Sequence, residues 1–378
     1  MDNQHESASE GKELGDEKVR EDSKISIVGV GDLGISISGG IYEKKIPGIE
    51  AIAISDDVKH LLTVKADRKY YLDNGIRRGL GVCTNPIIGR EAALRDSEKI
   101  AELIKGKDLI FLITGLGGRI GTGAIPVIAE IAKMLGSFLI AIVTVPFGME
   151  GRVRTDNARE ALKKLSILSN TNIVIPLEAL SDAFRELNDK DTWEIYEENI
   201  YEKILVEIIA MIIEPVSRMW REDKDRKDLK SILSEGGFTA IGIGGSESAG
   251  MEGLKEAAEE AVSSPLLVFD KSKSDESYVA VKNKLVKIHV PRATLKNNGA
   301  MISLSSGEDI NNNEVAEALR IIKDRIGENT KTTLHSLSNP TMKGEKKCLI
   351  LLTGQHFPLE PEEKPLEASE SDGPVEAL

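Results

Sequence analysis

The stretch from Thr114 to Pro126, "TGLGGRIGTGAIP", places five glycines in thirteen positions and ends on a proline. Glycine loses more backbone freedom on folding than any other residue, so this density is costly in a packed domain unless the backbone must be bare there. The flanks say what the stretch connects. Before it runs "KDLIFLITG", apolar and β-branched-rich, with the character of a strand; after it "AIPVIAEIAKMLG" carries helical spacing. Pro126 falls near the first turn of that helix, where its missing N–H costs little. A strand, a glycine loop and a helix in that order aim successive amides and the helix N-terminus at an anion, and bare glycines let phosphate oxygens come close. Gly117, Gly118, Arg119, Ile120, Gly121, Thr122 and Gly123 are therefore candidate phosphate-binding residues, with the Thr122 hydroxyl as an added donor.

A second glycine loop, "GVGDLGISISGG", follows the first strand "KISIVGV". Gly29, Gly31 and Gly34 fit G-x-G-x-x-G, with Asp32 inside the loop. Asp56 ends the second strand, where the ribose-binding acid of a dinucleotide fold would stand. Alone, this loop leaves two readings open: a dinucleotide site, or a tight strand-to-helix turn in any α/β fold. Two such loops at the carboxyl ends of parallel strands line one crevice, the place where open α/β sheets bind ligands.

Composition bounds the rest. The 378 residues allow two domains, and 40% hydrophobic with 29% charged residues suits a soluble protein. A net charge of -13 argues against nucleic acids and anionic membrane surfaces as partners. The longest apolar run, "ILVEIIAMII", is short and interrupted by Glu207, so direct membrane insertion is not expected. The N-terminus lacks the apolar stretch of a secretory signal. Two cysteines, Cys83 and Cys348, fit a reducing cytoplasm rather than a disulfide scaffold. No C-x-x-C or H-x-x-x-H spacing offers a metal site.

Residues 1–23 and 356–378, polar and charged, read as disordered tails. Residues 24–191 alternate strands with helices, which implies a parallel sheet covered on both faces. Residues 192–220 hold "TWEIYEENIYEKILVEIIAMIIE", a helix of about 35 Å. Its broad stripe of Ile200, Ile204, Leu205, Ile208, Ile209 and Ile212 predicts burial between two domains, with an end or a kink at Pro215. Residues 221–355 read as a smaller α+β domain, interrupted by "KSKSDESYVAVKNKLVKIHVPRATLKNN" as an inserted hairpin or loop.

The glycine stretch resembles the tubulin/FtsZ signature G-G-G-T-G-T-G, with Gly117, Gly118, Gly121, Thr122 and Gly123 on matching positions. "RGLGVCTNPIIGREAA" resembles the FtsZ loop beside the phosphates. "TVPFGMEGRVR" resembles the segment whose glutamate and arginine hold the ribose and phosphate side, here Glu150 and Arg154. "DAFRELND" resembles D-A-F-G-A-A-N-D, which places Phe184 against a guanine, Asp189 on its edge and Asn188 beside them. A carboxylate at Asp189 can accept from guanine N1–H and N2–H₂ together, a pairing that adenine cannot offer. The resemblance runs from about Lys24 to Gly354. It implies a Rossmann-like GTPase domain, a long central helix and a smaller C-terminal domain, binding GTP or GDP.

It also implies a second half to the site. "REDKDRKDLKSIL" matches the FtsZ segment N-x-D-F-A-D-V-K, with Asp225 and Asp228 on the two carboxylate positions and Asp223 where an asparagine is usual. At the far tip of a helix about 35 Å long, these acids reach only the nucleotide of a neighbouring copy stacked head to tail. Such an interface does not close, so it builds a filament. The acids would orient the attacking water, with Mg²⁺ or K⁺ at the subunit interface. The partners implied are further copies of the chain and another FtsZ, and the process cell division or shape control. The alternative is a non-hydrolysing structural homologue working through filament or partner contacts. The chain departs from the family at Asp32, Leu33 and Ile35, at Leu177 in place of a guanine-reading asparagine, and at Arg119 and Ile120. The segment between "VIP" and "DAF" is shorter, and the acidic C-terminus lacks the adaptor-docking peptide. Arg119 leaves two outcomes open: a guanidinium that clamps phosphate oxygens, or bulk that obstructs the γ-phosphate.

Overall fold

Runs such as "IEAIAIS" and "FLIAIVTV" are buried at every position, as strands covered on both faces must be. The computed structural model describes residues 12–13, 23–72, 84–180, 200–234, 238–248, 250–264, 266–267, 274–281, 284–291, 299–307, 310–338, 342 and 344–355. In chain order these form β1 (Lys12–Glu13), β2 (Ile25–Val30), α1 (Gly31–Glu43), β3 (Ile49–Ser55), α2 (Val58–Thr63), β4 (Arg68–Tyr71), α3 (Pro86–Arg95), α4 (Ser97–Ile104), β5 (Leu109–Gly115), α5 (Ile120–Met134), β6 (Phe138–Val145), α6 (Arg152–Leu168) and β7 (Thr171–Pro176). Then come α7 (Ile200–Arg221), α8 (Asp223–Leu233), β8 (Phe238–Ser246), α9 (Gly250–Val262), β9 (Ser274–Val281), β10 (Lys284–Pro291), β11 (Gly299–Ser306), α10 (Asn312–Ile326), β12 (Lys331–Ser338) and β13 (Lys346–Gln355).

One sheet runs in the order β1-β4-β3-β2-β5-β6-β7-β8-β13-β11-β12. Strands β4 through β7 are parallel, so β2, β3, β5 and β6 all deliver their loops to one edge. Among the described strand pairings the two halves of the sheet meet where Asn172 and Ile173 of β7 pair with Phe238 and Thr239 of β8. Beyond that seam β13 is antiparallel to both neighbours, β8 and β11. The inserted segment forms the β9–β10 hairpin, a two-stranded sheet of its own.

Helix α7 is buried on several sides, as its apolar breadth predicts. Leu205, Ile209, Ile212, Ile213 and Val216 pack in one cluster with Ile25, Phe111 and Ile140 of the parallel half and with Ile241, Met301 and Leu351 beyond the seam. It continues through Pro215 to Arg221 rather than ending there. Two further details differ from expectation. The helical spacing of "GREAALRDSEKIAELIKG", read by itself as one helix, is realised as two, α3 and α4, which divide at the buried Asp96. Lys12 and Glu13, inside the expected tail, pair antiparallel with Tyr71 and Tyr70 of the edge strand. Cys348 lies in the core of the second half, where burial pushes its thiol up to about 12.

Candidate nucleotide site

The loop after β5 is fixed from both ends. Leu116 N–H donates to the Thr144 carbonyl (2.9 Å), and Gly117, in the left-handed region at φ 103°, donates its N–H to Thr122 Oγ1 (2.8 Å). The first bond inside α5 runs from Gly123 N–H to the Arg119 carbonyl (3.2 Å), so the helix does not consume the amides of Ile120, Gly121 and Thr122. Thr122, buried, accepts from Gly117 and keeps its hydroxyl hydrogen for another acceptor. Asn157 of α6 donates Nδ2 to the Thr84 carbonyl (2.6 Å) and the Gly117 carbonyl (3.4 Å), tying the start of α3 to this loop. A lone asparagine on a helix gives no sequence signal of that role.

The glycines divide by what surrounds them. A Cβ on Gly34 would lie 2.5 Å from the Ile113 carbonyl oxygen, and one on Gly29 would meet the Gly34 carbonyl. On Gly123 it would strike the Pro86 carbonyl and come within 2.8 Å of Arg90 N; on Gly121 it would crowd Thr114 and the Gly115 carbonyl. Gly31 faces the backbone of Gly121, so the two loops touch there. Gly118 differs: among the described residues nothing lies nearer its Cβ position than Arg154 Nη2, at 3.9 Å. Packing of α1 on β5 and of α3 on α5 thus accounts for the bareness at Gly34 and Gly123, and among the described residues Gly118 is the least crowded of these glycines.

Charged side chains ring these loops in pairs. Arg119 forms an ion pair with Asp56; the two side chains are 24% and 7% exposed. The carboxylate considered above for a ribose is therefore engaged by the signature loop itself. Arg119 Nε is buried without a hydrogen-bond partner. Ile120, the next departure, packs in the core at 5% exposure. Asp32 accepts from Ser55 Oγ (3.3 Å) and stands 3.9 Å from His60 Nδ1, while His60 Nε2 meets Ser36 Oγ at 3.1 Å. The polar contact with His60, helped by Ser55 and Arg119, holds the Asp32 carboxyl below its usual range. The same contact raises His60. Burial pushes Glu202 of α7, beside this group, upward. Sequence inspection missed His60 and Ser36, because their meeting depends on α1 packing beside α2.

Glu150 and Arg154 form an ion pair at 3.0 Å, with Glu150 Oε1 accepting from Phe147 N–H (2.8 Å). The backbone of Arg154 lies against Gly117, which brings the pair to the signature loop. Leu177 is buried in the core, so no amide faces the site from that position. Phe184, Asn188 and Asp189, and the stretch Arg78 to Cys83, lie outside the described residues.

Asp225 and Asp228 sit on α8, at the other edge of the sheet. Arg221, ending α7, donates to the Pro47 carbonyl just before β3, and the Trp220 ring lies 5.0 Å from Phe138, the first residue of β6. Those are the amino ends of strands whose carboxyl ends carry the loops. A seven-residue strand such as β3 spans about 23 Å, which separates the two acids from the loops of their own chain.

Comparison with known proteins gives the family and the fold. Residues 24–185 match the Tubulin/FtsZ family, GTPase domain. Cell division protein FtsZ 1 of Methanocaldococcus jannaschii is 31% identical over 93% of this chain and 88% of its own length. The protein of that name from Pyrococcus furiosus is 32% identical over 94% and 87%. The chain belongs to the tubulin/FtsZ family. Among solved structures, an empty FtsZ dimer from M. jannaschii superposes with a TM-score of 0.74 at 29% identity, covering 92% of this chain and 94% of that one. A GTPγS-bound protofilament of CetZ2 from Haloferax volcanii superposes at 0.66 over 87% and 92%; at 18% identity it speaks for the fold alone. The parallel sheet, the long α7 and the second half are the tubulin/FtsZ fold, and membership places the chain in a GTPase family. The first glycine loop belongs to that fold, and the dinucleotide reading falls away.

Proposed function

We propose that this FtsZ-family protein binds GTP or GDP between its two glycine loops and assembles head to tail, each copy supplying Asp225 and Asp228 to the nucleotide of the next. The observation that supports this most is the placement of those acids at the amino edge of the sheet while the loops open at the carboxyl edge. One chain cannot bring them together; two stacked chains can, and a heterologous contact of that kind propagates into a filament. In the nucleotide-binding half, the backbone at Gly118, the amides of Ile120, Gly121 and Thr122, and the arginines at 119 and 154 would hold the phosphates. Phe184, Asn188 and Asp189 would hold the base, and Glu150 the ribose side. The carboxylates of the next copy would polarise the attacking water. Among the described residues of one chain no group of three or more His, Cys, Asp or Glu could hold a metal ion, so a Mg²⁺ or K⁺ at the subunit interface would be shared between the triphosphate and the acids of the next copy. A cation accompanying the triphosphate would arrive with it.

The names of the relatives favour cell division, with shape control as the other use of such a filament, and a second FtsZ as a partner for copolymerisation. No described helix is long and apolar enough to cross a membrane. Work in the cytoplasm suits that finding. GTP turnover per molecule should rise with protein concentration, and sedimentable polymer should form with GTP and not with GDP. Turnover that stays proportional to concentration would overturn the inter-subunit site.

A further inference from the structure

We infer that Asp56 and Arg119 form a latch on the phosphate site: the Asp56 carboxylate holds the Arg119 guanidinium in the ligand-free protein, and a bound nucleoside polyphosphate takes that guanidinium over. The inference deepens the proposal of a GTP site and rests on it. Arg119 is the residue from which α5 starts; its carbonyl accepts the first helical bond, and its side chain makes no cap. The guanidinium therefore springs from the helix start, where the first-turn amides have no intrahelical acceptor, a place that favours anions. The Arg119 side chain caps none of those amides. It reaches instead to the strand-end carboxylate of Asp56, which is only 7% exposed.

A carboxylate that buried is costly unless a cation faces it, so the pair is the resting arrangement. It is not a fully satisfied one. Arg119 keeps a quarter of its surface, and its buried Nε donates to nothing. Planar guanidinium donors left over at a helix start suit the forked oxygens of a phosphate. Asp32, whose carboxyl also feels the Arg119 charge, adds a second negative group on the same side of the crevice. A polyphosphate entering there competes with the Asp56 carboxylate for the arginine. Phosphate affinity is then set by how readily Asp56 gives Arg119 up, and Asp56 acts through Arg119 as a positioning residue. This also answers the choice between clamp and obstruction: held by Asp56, the arginine lies aside; released, it clamps.

The test titrates nucleotide-free protein with fluorescent analogues of GTP, GDP and GMP, alongside thermal melts. Asp56→Asn keeps the shape of the side chain and weakens its hold; it should bind GTP and GDP roughly three- to tenfold tighter. Arg119→Ala should bind them about tenfold more weakly or worse, and both effects should shrink toward GMP. The exchanged pair, Asp56→Arg with Arg119→Asp, keeps an ion pair between the loops and should still lose affinity, which a merely structural tie would not. If Asp56→Asn fails to fold, Asp56→Ser carries the same comparison. A folded Asp56 variant that binds no tighter than wild type, while wild type binds GTP, overturns the latch alone. Wild type, Asp56→Asn and Arg119→Ala all silent toward GTP overturn the latch together with the GTP site. Binding that appears only in Asp56→Asn supports both.

Discussion

The two edges of the parallel sheet hold their charges differently. At the carboxyl edge, side chains from separate elements are paired before any ligand arrives: Arg119 with Asp56, Arg154 with Glu150, Asp32 with His60 and Ser55. At the amino edge the acids ride on a single helix. Asp223 pairs with Arg226 one turn on, Asp228 is exposed, and Asp225 is half-buried with His335 of β12 within electrostatic reach. A pre-paired edge has its geometry set by its own chain and admits a ligand by exchanging partners. An edge that leaves Asp228 exposed on one helix would have a carboxylate to offer to something outside the chain. The difference is what a composite site requires of each half.

The largest effect follows from that division. Asp225→Ala and Asp228→Ala should each lower GTP turnover by at least about a hundredfold while leaving nucleotide binding within about twofold of wild type. Mixing sharpens the comparison. A loop variant such as Thr122→Val, inactive with intact acids, and Asp225→Ala, inactive with intact loops, should recover turnover when combined in equal amounts. Random stacking gives about a quarter of the contacts one good loop and one good acid. No recovery from two folded, polymerising variants would mean that loops and acids do not serve each other across copies.

A smaller effect tests the division among the glycines. Gly123→Ala must push its Cβ against the Pro86 carbonyl, between the closely packed α3 and α5. Overpacking of that kind costs about 1–3 kcal/mol, so the variant should melt several degrees lower. Gly118→Ala meets, among the described residues, nothing closer than the end of Arg154 and should melt like wild type, its loss appearing in GTP affinity instead. Equal melting temperatures would remove the distinction between packing glycines and the site glycine.

That distinction marks where the sequence stops being readable. Glycine loops after β2 and β5, the apolar α7 and the inserted hairpin follow from periodicity and local composition, because each is written within a few neighbouring residues. Which glycine faces a ligand is not, since Gly118 and Gly123 look alike until α3 is docked. Arg119 was conspicuous as a departure, yet its partner lies 63 residues away at the end of another strand. His60 carried no signal, because its contacts with Asp32 and Ser36 exist only once α1 and α2 pack side by side.

The smallest effect concerns that last contact, and pH exposes it. His60 is raised above its ordinary 6.5, so its contribution to stability is complete below 6.5 and is lost as pH rises through the raised value. Asp32 is lowered below its ordinary 3.8, so its contribution is complete above 3.8 and is lost as pH falls through the lowered value. Both partners therefore contribute fully between those two ordinary values. Glu202 faces the same ring from α7 and Asp57 caps α2 beneath it, so the comparison is cleanest in a Glu202→Gln background with Asp57 left in place. There, His60→Gln should lower the melting temperature most near pH 5.5 and least near pH 8.5. Because the Asp32 side chain is 72% exposed, the effect should stay within about 1 kcal/mol and shrink in high salt. A His60→Gln penalty that is the same at both pH values would reduce the contact to ordinary packing, and the carboxyl edge would have one fewer pair to exchange when nucleotide binds.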